Sequence, residues 1–143
     1  MINNSIRNLI LFLFMFSCSN ILLAGNNHFE EGKKLFELKK YKDSKFKFEK
    51  AIVFNPKNEK SYLYLAKIFN KEKNIDLEES NLKTVILLNP KNEEAVYLLA
   101  RLSIKKSNFS KTKDLIVIFE DVCKKLCVLK DELLEELKIS SKQ

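Results

Sequence analysis

The chain has 143 residues, carries a formal net charge of +7 at pH 7 and contains only two Gly and two Pro. This length fits one ordinary domain, and so few turn-forming residues argue against a many-stranded sheet protein. Lys, Glu, Leu, Phe and Ile are abundant, which favours helices. The Lys, Asn and Ile usage also matches an AT-rich genome, so the basic charge by itself assigns no function.

Residues 1 to 24 have the pattern of a secretory signal peptide. Arg7 is the only charged residue, an apolar stretch runs from Leu9 to Phe16, and the segment ends at Ala24. The pattern predicts cleavage after Ala24 and a periplasmic or secreted mature protein.

Two other fates of this segment stay open at the level of sequence. Met15-Phe16-Ser17-Cys18 resembles a bacterial lipoprotein box, which implies acylation of Cys18 and attachment to a membrane. Alternatively, the N-terminus is an uncleaved anchor, although Leu9 to Leu23 is shorter than the roughly 20 apolar residues of a full span. Contact with a membrane is therefore predicted only for these two fates.

The strongest pattern in the chain is internal repetition. The segment Phe-Asn-Pro-Lys-Asn at 54–58 recurs as Leu-Asn-Pro-Lys-Asn at 88–92, and Pro56 and Pro90 stand 34 positions apart. This period resembles that of the tetratricopeptide-repeat family. Placing Pro at position 32 of each unit defines three repeats, at 25–58, 59–92 and 93–126.

The resemblance implies that each repeat forms an A helix and a B helix packed as an antiparallel hairpin. The small residue that the family requires at position 8, where the two helices cross closely, is Gly32, Ala66 and Ala100. The first repeat also matches the family at four further positions, namely Tyr41, Ser44, Phe48 and Ala51. We therefore predict an all-α solenoid of about three repeats with a C-terminal capping helix.

The later repeats depart from the pattern. Glu78 stands where a small residue is usual, which predicts that the second B helix begins later or shifts in register. Thr112, Phe119 and Lys124 make the third repeat degenerate, as terminal units often are. Apolar residues at helical spacing between 128 and 139 predict the capping helix within the tail 127–143.

Cys123 and Cys127 lie at the junction between the third repeat and the cap. Export would deliver them to an oxidising compartment, which favours a disulfide. An unbroken helix generally holds residues four apart too far from each other, so a bond requires a break between Lys124 and Leu126. Reduced thiols, a metal site or redox activity stay open, although no nearby His or further Cys completes a tetrahedral metal set.

The tail from Cys123 to Leu137 also resembles the end of some bacterial exported repeat proteins. In those proteins a Cys-x-x-x-Cys pair precedes an acidic Asp-Glu-Leu helix, and Asp131, Glu132 and Leu133 follow the pair here. The resemblance is in agreement with an exported protein.

The resemblance to the repeat family also implies a binding surface, since the A helices line the concave face. Position 9 carries a cation in each repeat, namely Lys33, Lys67 and Arg101. Nearby positions on the A helices provide aromatic and further basic side chains: Phe29, Phe36, Lys71, Tyr97 and Lys105. Such a face suits an extended acidic peptide with hydrophobic anchors. The alternative is a solvated face in a Lys-rich protein, with Lys33 paired to Glu37.

Other functions find little support in the sequence. The family's best-known groove binds a C-terminal carboxylate with Asn at position 9 of its first repeat, where this chain has Lys33, so that specificity is not carried over. His28 is the only histidine, and no catalytic triad, metal-ligand cluster, cofactor motif or phosphate loop is present. Nucleic acid is disfavoured because the basic residues are interspersed with acids.

The sequence thus predicts a non-catalytic scaffold for protein-protein interaction in the bacterial cell envelope. A membrane-tethered lipoprotein with an envelope-structural or assembly role is the alternative, and thiol redox catalysis by Cys123 and Cys127 is a third, minor hypothesis.

Overall fold

The computed structural model describes residues 27 to 142, and all regular structure within them is α-helical. The helices are α1 over residues 27–37, α2 over Tyr41–Phe54, α3 over Glu59–Lys71, α4 over Ile75–Leu88, α5 over Glu93–Lys105, α6 over Phe109–Val122 and α7 over Leu129–Ser140. The predicted signal segment, with Cys18 and Ala24, lies outside the described residues. No helix in the described part is long and apolar enough to cross a membrane.

Equivalent B helices begin 34 residues apart. The B helices α2, α4 and α6 begin at Tyr41, Ile75 and Phe109, and each has 14 residues. The prediction that Glu78 delays or shifts the second B helix is therefore wrong. The side chain of Asn74 caps α4 by accepting a hydrogen bond from the Leu77 N–H at 3.2 Å, and this cap fixes where the helix begins.

Each turn from an A helix to a B helix repeats one backbone motif. Lys39, Lys73 and Ser107, which are 34 residues apart, adopt positive φ angles of 59°, 58° and 54°. In the first turn the N–H of Lys39 donates to the Phe36 carbonyl and the next N–H donates to the Leu35 carbonyl, both at 2.9 Å. This is a Schellman motif, which satisfies the last carbonyls of the A helix and ends it.

The described helices fall into two compact units, of which the first covers residues 27 to 61 of the described chain. Here α1 and α2 cross at Gly32, whose Cα lies against the ring of the fully buried Phe48. Ser44 Oγ donates a hydrogen bond of 2.8 Å to the Gly32 carbonyl, and the Phe29 and Phe48 rings lie 5.7 Å apart. A small residue at Gly32 thus has the role that the repeat pattern predicts.

The second unit begins at Tyr62 and contains one continuous hydrophobic core. Side chains from α3 to α7 contribute to it, including the fully buried Leu82, Val96, Phe119 and Leu133. Stacked hairpins bury such a core because each hairpin alone exposes an apolar face.

Helix α7 covers the apolar sides of α5 and α6. Leu133 is completely buried and Leu137 is nearly so, whereas Leu134 is 43% exposed. The predicted capping helix is therefore present, at Leu129–Ser140.

Candidate functional site

In the second unit, both cations predicted at position 9 are paired with acids of the following A-type helix. Lys67 Nζ lies 2.6 Å from Glu94 Oε1 and 5.0 Å from the Tyr64 ring centroid. Arg101 Nη2 donates to Glu136 Oε1 at 2.9 Å, and its Nε donates to Glu136 Oε2 at 3.3 Å. Such pairing neutralises these two positions within the fold.

The other predicted binding residues of this unit differ in exposure. Tyr97 is only 8% exposed, and its hydroxyl donates to Glu132 Oε1 at 3.1 Å. Burial and this bond raise the pKa of Tyr97. Lys71 and Lys105 are exposed, so Tyr97 belongs to the packing while the two lysines face solvent.

In the first unit, one of the predicted residues, Phe29, borders an open pocket of about 430 Å³. Phe29 forms its apolar wall, and the loop from α2 to α3 contributes Lys57 and Asn58, with Lys60 following on α3. Asn55, also on this loop, accepts the Lys57 N–H at 3.2 Å and so fixes the loop. Phe36 lies apart from this pocket, with its ring at 5.5 Å from that of Tyr41.

Lys33 is half-buried on α1, one helical turn after Phe29. Neither Lys33 nor Lys60 forms an ion pair with any residue in the described part of the chain. The alternative pairing of Lys33 with Glu37 is therefore not found there. Glu31, by contrast, pairs with Lys47 on α2.

The Sγ atoms of Cys123 and Cys127 lie 2.09 Å apart, a disulfide distance, and the Cα atoms are separated by 5.2 Å. The chain is non-helical between α6 and α7, so the break that a bond requires is present.

Sequence reasoning missed the residue that holds this loop between α6 and α7. Glu93 Oε2 accepts the backbone N–H groups of Lys124, Lys125 and Leu126 at 2.6, 2.9 and 3.1 Å.

These three N–H groups, which favour the ionised form, lower the pKa of Glu93. We expect Glu93→Gln to lower the Tm at pH 7, with a loss of at most about 1 kcal/mol because solvent screens the site. Because the pKa of Glu93 is lowered in the folded state, its carboxylate stabilises the fold above the unfolded pKa of 4.5. This contribution is lost as the pH falls. The difference in Tm should therefore shrink below about pH 4.5, and Glu135→Gln, which removes an exposed carboxylate, is the control.

A second cluster that the sequence did not reveal surrounds Glu78. Glu78 is buried, with 5% of the residue exposed, and Asn70 Nδ2 donates to its Oε1 at 2.9 Å. Burial raises the pKa of Glu78, while the bond from Asn70 and the charge of Lys105 oppose that change. A carboxyl at the position that Ser44 and Thr112 occupy in the other repeats therefore carries a cost when ionised.

We expect Glu78→Gln to stabilise the protein at pH 7. Because the pKa of Glu78 is raised in the folded state, its protonated carboxyl stabilises the wild-type fold. This contribution is complete below pH 4.5, the unfolded pKa, and is lost as the pH rises. The amide keeps the size of the side chain and removes the buried charge, a gain of up to about 1 kcal/mol. Urea denaturation at pH 7 and pH 4 should show the gain only at pH 7. Asp114→Asn, which changes an exposed side chain on α6, should show none.

Neither unit offers a recognisable catalytic arrangement among the described residues. These residues hold no group of three His, Cys, Asp or Glu side chains placed for a metal ion. His28 stacks on Phe54 with ring centroids 5.5 Å apart, and its Nδ1 is 4.0 Å from Glu31 Oε2.

No protein-family model matches the chain, and no curated protein matches it. Among solved structures, the TPR2B domain of yeast Sti1 is 14% identical, with a TM-score of 0.71 over 85% of this chain and 98% of that one. The second TPR domain of human RPAP3 is 14% identical, with a TM-score of 0.67 over 88% and 99%. The Yersinia enterocolitica type III secretion chaperone SycD is 12% identical, with a TM-score of 0.70 over 82% and 92%.

At these identities the likeness is one of fold, and it agrees with the exact 34-residue register of the helices. The predicted fold class is thereby confirmed: this chain has the tetratricopeptide-repeat fold.

Proposed function

We propose that this chain is a non-catalytic tetratricopeptide-repeat scaffold that binds a protein partner through an acidic peptide segment. The solved structures of similar fold support this proposal. The RPAP3 domain was solved with the HSP70 peptide SGPTIEEVD, and SycD was solved with a peptide of the translocator YopD. The fold therefore presents surfaces that other chains use to hold extended peptides.

The observation that carries the proposal is a break in the pairing of the position 9 cations. Glu94 stands 27 residues after Lys67 and neutralises it. The residue 27 positions after Lys33 is Lys60, a second cation. The first repeat thus lacks the internal acid of the second, and an acidic partner segment supplies what is missing.

The pocket that one of these lysines, Lys60, lines indicates the kind of anion that fits. Phe29 offers an apolar wall, and Lys57 and Lys60 offer positive charge. Glu30 and Glu59 line the same pocket, so the acidic side chains of a bound segment must lie at the lysines and away from these two carboxylates. A peptide that alternates acidic and hydrophobic side chains satisfies both features.

Binding of a labelled peptide tests this proposal. A fluorescein-labelled ten-residue peptide of alternating Glu and Leu should raise its anisotropy with the wild-type chain, whereas a Lys-Leu peptide should not. Lys33→Glu combined with Lys60→Glu should weaken the affinity at least about tenfold, equivalent to about 1.4 kcal/mol. The matched control reverses two exposed charges on B helices, Lys42→Glu with Lys113→Glu, and should bind like the wild type.

Equal binding by the two double variants would place the peptide elsewhere on the chain. Equal binding of the acidic and basic peptides would contradict recognition of an acidic segment. Circular dichroism of both variants confirms that the comparison is made on folded protein. Lys67 and Arg101 are unsuited to this test because their replacement also breaks the internal pairs with Glu94 and Glu136.

We also propose that the protein works in the bacterial cell envelope, after cleavage behind Ala24. The pattern of Arg7, the apolar stretch and Ala24 supports this location. The mass of the mature N-terminus tests it. A chain that starts at Gly25 agrees with the proposal, an acylated Cys18 indicates the membrane-tethered lipoprotein instead, and an intact Met1 indicates an uncleaved N-terminus.

A further inference from the structure

A small cavity in the second unit lies where α3 ends, α4 begins and α5 ends. Its volume is about 210 Å³, and it is lined by Asn70, Lys73, Ile75, Glu78, Leu102 and Lys105. Glu78 is the buried acid of this cavity, and Asn70 engages its Oε1. Within the described chain, Glu78 Oε2 accepts no hydrogen bond. This second carboxylate oxygen is therefore available to a ligand.

The other repeats show that this arrangement is particular to the second one. At the equivalent position, Ser44 Oγ donates to the Gly32 carbonyl at 2.8 Å, and Thr112 Oγ1 donates to the Asn108 carbonyl at 2.9 Å. Both hydroxyl groups are thus satisfied by nearby backbone. Glu78 has a longer side chain with a second acceptor, and the residue lines the cavity.

The charges around the cavity restrict the ligand. Lys73 and Lys105 line it with Glu78, so a simple cation meets repulsion and a simple anion meets the carboxylate. A molecule with an ammonium group next to a carboxylate complements both. Ile75 and the buried Leu102 add an apolar wall for an aliphatic part.

We propose that this cavity binds a small zwitterion of the α-amino acid class. The ammonium group donates to Glu78 Oε2, the carboxylate lies between Lys73 and Lys105, and the side chain contacts Ile75 and Leu102. The volume is below the roughly 300 Å³ at which drug-sized ligand pockets begin, so a ligand of about ten heavy atoms or fewer fits. The site goes beyond the proposed peptide-binding function and does not depend on it.

Titration calorimetry of the full chain with L-leucine and L-alanine tests the proposal. At least one of the two should bind with a Kd of about 1 mM or tighter. Isopentylamine, which lacks the carboxylate, and 4-methylpentanoate, which lacks the ammonium group, should each bind at least about tenfold more weakly than leucine. Each comparison removes one charge and keeps the aliphatic part.

Variants then assign the site. Glu78→Gln, which is expected to remain folded, and Lys73→Met with Lys105→Met should each weaken amino acid binding at least about tenfold. Asp114→Asn on α6 should leave it unchanged. The proposal is overturned if neither amino acid binds at 20 mM, about twenty times the expected Kd. It is also overturned if the amine binds as well as leucine, or if Glu78→Gln binds like the wild type.

Discussion

Replacing Leu133 by Ala is expected to lower the free energy of unfolding by about 3 kcal/mol. Leu133 is completely buried where α7 packs on α5 and α6, and truncation leaves a cavity that the surrounding helices fill only in part. Urea denaturation followed by circular dichroism at 222 nm measures the loss. Because one or two kcal/mol is a large share of the stability of a small domain, the variant should be only marginally folded.

Leu134 provides the matched control for this prediction. It is the same residue type on the same helix, but it is 43% exposed. Leu134→Ala should therefore cost less than about 1 kcal/mol. Equal losses at the two positions would show that α7 is not docked through its Leu133 face, and that the cap is not part of the core.

Replacing Gly32 by Ala is expected to destabilise the protein by about 1 to 2 kcal/mol, although Ala is the better helix former by about 1 kcal/mol. A Cβ atom at Gly32 would lie 2.9 Å from both Cδ1 and Cε1 of Phe48. This distance is too short, and the fully buried Phe48 ring has little room to move. The steric cost therefore exceeds the gain in helix propensity. Thermal unfolding of the variant measures the sign directly.

A double-mutant cycle identifies the cause. In the Phe48→Leu background the clashing ring is gone, so Gly32→Ala should become neutral or stabilising. If Gly32→Ala stabilises the otherwise unchanged protein, the close crossing of α1 and α2 is not what requires Gly at this position. If it destabilises both backgrounds equally, Phe48 is not the neighbour that limits the space.

Much of the fold was predictable because the repeat is encoded locally. The prolines at 56 and 90 and the small residues at 32, 66 and 100 fix the period, and the helices follow it exactly. The degenerate third repeat keeps its helix bounds too, because Asn108 caps α6 through its side chain, as Asn74 caps α4. Asn caps thus support the register of α4 and α6, whereas α2 begins in the same register without a side-chain cap at Lys40.

The candidate site was less predictable, since its chemistry arises between helices. Neither Glu94 nor Glu136 is marked by spacing as the partner of Lys67 or Arg101, and packing alone brings each pair together. The same holds for Glu93, whose three bonds to the cysteine loop join residues at least 31 apart in sequence. Periodicity identifies which face a residue occupies, but not which charge lies opposite.

The turns between paired helices connect this fold to the genome that encodes it. Gly is the residue best suited to a left-handed backbone conformation, yet Lys39 and Lys73 adopt it here. Gly codons begin with two guanines, whereas Lys codons begin with two adenines, so a bias toward A and T in a gene favours Lys over Gly at such sites. Each left-handed Lys costs about 1 to 2 kcal/mol of backbone strain. Nucleotide composition would thus be recorded in this protein as conformational strain at equivalent turns, borne by the packing of the helices on either side.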